Sequence, residues 1–132
     1  MKKAAILLSI FFISSGVQAQ VADTALYLNS EILAKKHLFI GKPFSVLLDT
    51  LKVTPKLNFG RSPRYNKNIE SRSYFYFNEG VSRSAHYIVI EWEDPISATV
   101  TESLHRKNNF VFTGEERAFY CTRTVADIIF AK

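Results

Sequence analysis

Apolar residues recur along this chain with two different periods, and the change of period divides it. From Pro43 to Leu51, the residues Phe44, Leu47, Leu48 and Leu51 fall at i, i+3, i+4 and i+7, the spacing of one buried helical face. Pro43 suits the first turn of such a helix, where its missing N–H would have had no partner. A second helical pattern precedes it, from Asp23 to about Phe39. Ala25, Leu28, Ile32 and Phe39 share one arc, widened by Leu26 and Leu33, while Asn29, Ser30, Lys35 and Lys36 point elsewhere. Two helices joined around Gly41 predict an αα hairpin with one apolar side, and that side needs a sheet to cover.

Beyond Leu51 the period becomes two. Val53 to Phe59 alternates, and Pro55, which cannot donate into a ladder, assigns it to a sheet edge. Ser73 to Phe77 (SYFYF) and His86 to Glu93 (HYIVIEWE), the latter with Ile88, Ile90 and Trp92 on one face, predict a hairpin through the turn residues Asn78, Glu79 and Gly80. A centre near Val81 and Ser82 sets Arg72 across from Glu91. Asn109 to Thr113 reads as a further short strand. Thr113 and Glu116 have the spacing of a capping box, opening a short helix through Tyr120. Thr124 to Phe130 is apolar on both faces apart from Asp127 and predicts a central strand. Residues 96–107 fit a loop, a strand, or a helix capped by Thr99 and Glu102. The expected fold is α+β: two N-terminal helices packed on one face of a mostly antiparallel sheet of four or five strands, with a short helix before the last strand.

The first nineteen residues stand outside this pattern. MKK is followed by the uncharged apolar run from Ala4 to Ile13, then by polar residues and small ones at Val17 and Ala19. That is the layout of a cleavable secretory signal, so residues 1–19 are read as a signal peptide and 20–132 as one α+β domain. The run is shorter than the ~20 residues a spanning helix needs, and no transmembrane segment is expected in the mature chain. Gln20 in place of a cysteine speaks against lipid attachment, and a periplasmic or extracellular location follows.

Export changes the charge. The chain has 17 Lys and Arg against 12 Asp and Glu, and losing Lys2 and Lys3 leaves 15 against 12, or +3. A mature chain of 113 residues (132 less 19) can bury a core without metals or disulfides. Cys121 is the single cysteine, with no internal partner, and its neighbours Phe119 and Tyr120 suggest a buried small hydrophobe.

In layout the expected fold is similar to the helix-hairpin and sheet domains of outer-membrane assembly lipoproteins and of β-lactamase inhibitor proteins. In sequence, Ile40 to Leu48 (IGKPFSVLL), Glu115 to Tyr120 (EERAFY) and Val125 to Ile128 (VADI) resemble small exported bacterial proteins of no assigned function. Neither resemblance transfers chemistry to particular residues.

The candidate chemistry is sparse. Gly41-Lys42 is not a phosphate loop, because Lys36 stands where the upstream glycine belongs and Pro43 removes a cradling donor. Glu91 and Glu93 share a strand face, ~7 Å apart, and Asp94-Pro95 reads as a turn; the pair could divide acid and base roles. His37, His86 and His105 have no metal-ligand spacing and read as surface or structural residues. No catalytic, metal or cofactor-binding residue is assigned, and no cofactor is expected. The remaining feature is basic and partly aromatic: Lys56, Arg61, Arg64, Tyr65, Lys67 and Arg72, answered only by Glu70 between them. These six are the candidate partner-binding residues. The reading favoured is a non-enzymatic binding module of the bacterial envelope or secreted fraction, engaging an envelope protein or an anionic surface through this loop or an exposed sheet edge. Export argues against nucleic acid as the partner. The alternative is a small hydrolase-type enzyme using Glu91, Glu93 or a histidine.

Overall fold

The computed structural model describes residues 24–132, so the expected signal, residues 1–19, lies outside the described residues. The fold is α+β, with a four-stranded antiparallel sheet in the meander order β1-β2-β3-β4: β1 Leu57–Arg61, β2 Ile69–Tyr76, β3 Tyr87–Ser97 and β4 Val125–Ala131. Helical segments come before and between: a helical stretch from residue 24 that becomes a π-helix at Leu28–Leu33, then α1 Phe44–Thr50, α2 Ala98–Lys107 and α3 Gly114–Tyr120.

The N-terminal pattern does not run as one helix to Phe39. It widens, with the Ala34 N–H reaching back five residues to the Asn29 carbonyl at 2.9 Å, and a 3₁₀ turn Lys36–Leu38 follows separately. Asn29 and Ser30 donate side-chain hydrogen bonds to the carbonyls of Ala25 and Leu26, four residues back. Such back-bonding competes with the regular ladder. The apolar arc still serves its purpose, since Leu28, Ile32 and Phe39 are buried.

α1 begins directly after Pro43, as its spacing predicts, and buries Phe44, Leu47 and Leu48. Phe44 lies at ring-centroid distances of 4.8 Å from Phe75 and 5.2 Å from Trp92, and Tyr120 of α3 stacks on Trp92 at 5.4 Å. Ile88, Ile90, Val125 and Ile128 complete one continuous core. Cys121 is half-buried at its margin, with its thiol donating to the Ala118 carbonyl at 3.3 Å.

The strand boundaries correct several expectations. Four strands are present among the described residues, the lower of the two expected counts, because the stretch Asn109 to Thr113 makes one isolated bridge, Val111 to Leu57, instead of a strand. β1 begins after Pro55, whose lack of an N–H keeps it out of the ladder. β3 continues through Asp94 and Pro95 to Ser97 instead of turning, paired with Ile69 and Glu70 of β2. α2 follows from the N-cap Ser97, not Thr99. β4 is at the end of the sheet rather than its centre; backbone hydrogen bonds between Val125 and Gly41 (2.7 Å) and Lys42 (2.9 Å) cover its outer edge at one end. The β2–β3 hairpin has the expected register, Tyr76 opposite Tyr87 and Arg72 opposite Glu91.

Candidate functional site

The face of the sheet away from the core presents ordered rows. Arg61 of β1 opposes Arg72 of β2, Arg72 opposes Glu91 of β3, and Glu91 opposes Asp127 of β4. Lys36 closes the row on Asp127 at 2.8 Å. Beside it runs an aromatic row, in which Tyr74 approaches Tyr87 at 6.0 Å and Tyr87 approaches Tyr76 at 4.9 Å.

At the Arg61 end, residues of the β1–β2 connection and of strands β2 and β3 together border an open cleft of about 560 Å³. Arg61, Arg64, Tyr65 and Arg72 line it, with Glu91, Pro95 and others. That volume is in the range of small-ligand clefts. Arg72 has a partner in Glu91 at 3.1 Å. Arg61, facing Arg72, donates instead to the Tyr74 hydroxyl at 3.2 Å. Like charges directly opposed across strands are unfavourable. Arg64 has no ion-pair partner among the described residues, and Tyr65 is 86 % exposed.

Four of the six candidate partner-binding residues therefore meet in one place. Lys67 lies instead at a separate cavity of about 240 Å³. Lys56 stands ahead of β1, where its backbone bonds Tyr76 and Phe112, and lines neither. Arg72 belongs to strand β2 rather than to a loop, which is what aims it at Glu91. The sheet edges are less open than expected, because Phe110 and Phe112 bond the outer edge of β1 at Asn58 and Lys56.

The acidic pair and the histidines do not converge. Glu91 belongs to the cleft, Glu93 is exposed, His37 is exposed in the 3₁₀ turn, and the half-buried His86 sits at the hairpin end, its N–H on Asn78 at 2.6 Å. His105 is elsewhere again, in a buried polar network that no pattern along the chain foretells.

That network is built from five elements. His105 of α2 shares a hydrogen bond from Nδ1 with Glu116 of α3 at 3.0 Å, and its Nε2 lies 3.2 Å from the Tyr120 hydroxyl. Tyr120 donates to Glu70 at 2.8 Å, Ser73 also donates to Glu70, and Trp92 donates to Ser73 at 2.7 Å. Asn58 of β1 donates to the other oxygen of Glu116 at 3.2 Å. Glu70, Ser73, His105, Glu116 and Tyr120 are all nearly inaccessible. Glu116 does receive the Thr113 cap on its backbone N–H, but its carboxylate turns inward rather than completing the capping box.

Burial pushes the His105 imidazole down, yet hydrogen bonds and charge from Glu116 and Glu70 outweigh it and raise its pKa to about 9. Burial likewise pushes Glu70 up, and the bonds from His105, Ser73, Thr101 and Tyr120 bring it below its ordinary value. Tyr120 is pushed far above the usual phenol range, first by burial and then by Glu70. At neutral pH the set is an imidazolium between two carboxylates, with both ring nitrogens engaged. An imidazolium so held is a poor base, and a phenol so raised is a poor acid. The chemistry is that of a strut tying α2 and α3 to the sheet.

Among the described residues no group of three His, Cys, Asp or Glu side chains is placed to hold a metal ion. No described helix is long and apolar enough to cross a membrane. No protein-family model, curated protein or solved structure matches the chain.

Proposed function

We propose that this chain is an exported, non-enzymatic binding module of the bacterial envelope or secreted fraction, and that it takes an anionic ligand in the arginine-lined cleft. One observation carries the reading: Arg61 and Arg72 are directly opposed across β1 and β2 at a cleft that Arg64 also lines, with Glu91 the one carboxylate on that lining. An anionic group entering there relieves the like-charge opposition and bonds guanidinium donors in their preferred planar geometry. A hydrolase acting through Glu91, Glu93 or a histidine lacks a convergent set of groups among the described residues.

The test uses protein purified after expression of the full-length chain. Retention is measured on immobilised polyglutamate, on immobilised polygalacturonate and on phosphatidylglycerol vesicles, across a salt series. The expected result is retention on at least one that weakens with salt and is lost in an Arg61→Glu, Arg64→Glu variant with an unchanged melting temperature. No salt-sensitive retention of the parent on any of the three, or equal retention of the variant, overturns the reading.

A further inference from the structure

We infer that the ligand of the cleft is an acidic polysaccharide, bound by stacking of its sugar rings on aromatic side chains as well as by ion pairing; this rests on the cleft being the binding site. The cleft offers three kinds of contact together. Arg61 and Arg64 supply planar donors for carboxylate or phosphate groups. Glu91, already beside Arg72, supplies an acceptor for hydroxyls. Tyr65 supplies a ring face at the rim, 86 % exposed.

A ring that exposed, carried on a polar loop, contributes little to the fold, and its electron-rich face suits the C–H groups of a sugar. The Arg61 bond to Tyr74 then joins the cleft to the aromatic row that continues through Tyr87 and Tyr76. A chain of rings leaving the cleft along that row would keep meeting aromatic surface. The alternatives fit less of this. A lipid surface calls for long protruding apolar side chains, and the only aliphatic ones among the described residues of the cleft lining are the short rings of Pro63 and Pro95. A densely charged polyanion would meet Glu91 among the arginines and gain nothing from Tyr65. A β-strand partner needs an open edge, and that of β1 is bonded at Asn58 and Lys56.

Titration calorimetry decides it, with oligogalacturonate and with polyglutamate of matched charge, on the full-chain product and on Tyr65→Ala, Tyr65→Phe and Arg61→Glu, Arg64→Glu variants. Oligogalacturonate should bind more tightly than polyglutamate. Tyr65→Ala should weaken only the sugar, by about tenfold, and Tyr65→Phe should restore it. Equal binding of the two polymers with Tyr65→Ala silent overturns the sugar assignment and leaves an anion site standing. Tighter binding to phosphatidylglycerol vesicles than to either polymer, again independent of Tyr65, overturns it in favour of a lipid headgroup. Binding unaffected by the double arginine reversal removes the cleft itself.

Discussion

His105 and Glu116 face each other at 3.0 Å across the α2–α3 junction, one 3 % and the other 0 % exposed. Because the folded state raises the His105 pKa from its ordinary 6.5 to about 9, the protonated ring stabilises the fold. That contribution is complete below about pH 6.5 and is lost as pH rises through about 9, on the order of 3 kcal/mol in all. Glu70 acts at the other end: its pKa is lowered, so its contribution is present above its ordinary 4.5 and lost as pH falls through the lower folded value. Melting temperature measured from pH 3 to pH 10 should peak in the mildly acidic range and fall on both sides. A His105→Gln variant should lose the alkaline slope, and a wild-type curve flat from pH 6 to 10 would refute this account of the ring.

Removing one member of the buried pair should cost more than removing an exposed one. Glu116→Ala leaves an imidazolium and the Asn58 amide without their acceptor and should destabilise by about 3–5 kcal/mol in urea unfolding. Glu91→Gln removes the partner of Arg72, but that pair is roughly half exposed, and the loss should stay below about 1 kcal/mol. Equal costs would mean that the buried network is not a strut.

Gly60 is required by what faces it. A Cβ at that position would overlap the Glu70 carboxylate, held in turn by Tyr120 and Ser73. Gly60→Ala should cost about 2 kcal/mol by overpacking, and the same change in a Glu70→Ala background should cost less, because the obstruction is gone. A double-mutant cycle by urea denaturation reads the coupling directly.

In the apolar core, Phe44→Ala should destabilise by about 3–5 kcal/mol, since the ring is fully buried between Phe75 and Trp92. Val46→Ala on the exposed side of the same helix should change stability by less than about 0.5 kcal/mol. The contrast checks which face of α1 is inward.

Local rules determined much of this protein. The i, i+3, i+4, i+7 spacing from Phe44 to Leu51 specified α1 and its buried face, and the alternation of Ile88, Ile90 and Trp92 with the turn at Asn78 to Gly80 specified the β2–β3 hairpin, down to Arg72 opposite Glu91. Thr113 marked the start of α3. The cluster of Arg61, Arg64, Tyr65 and Arg72 was legible as a group, though not as the lining of a cleft, because only the fold brings the β1–β2 connection beside Glu91 and Pro95 of β3.

The buried network was decided by tertiary structure alone. Strict alternation from Tyr76, Tyr74 and Arg72 would send Glu70 to the outer face; the register shift between Glu70 and Arg72 turns it inward instead. Glu116 looked like half of a capping box, and His105, on an undecided segment, like a surface or a structural residue without named partners. Each acquires its role from a partner that is distant in the chain: Glu70 from Tyr120, Glu116 from Asn58, His105 from both carboxylates. Periodicity reports which side of an element is apolar. It carries no information on which polar side chains will be buried, because that depends on whether packing brings each of them a hydrogen-bond partner.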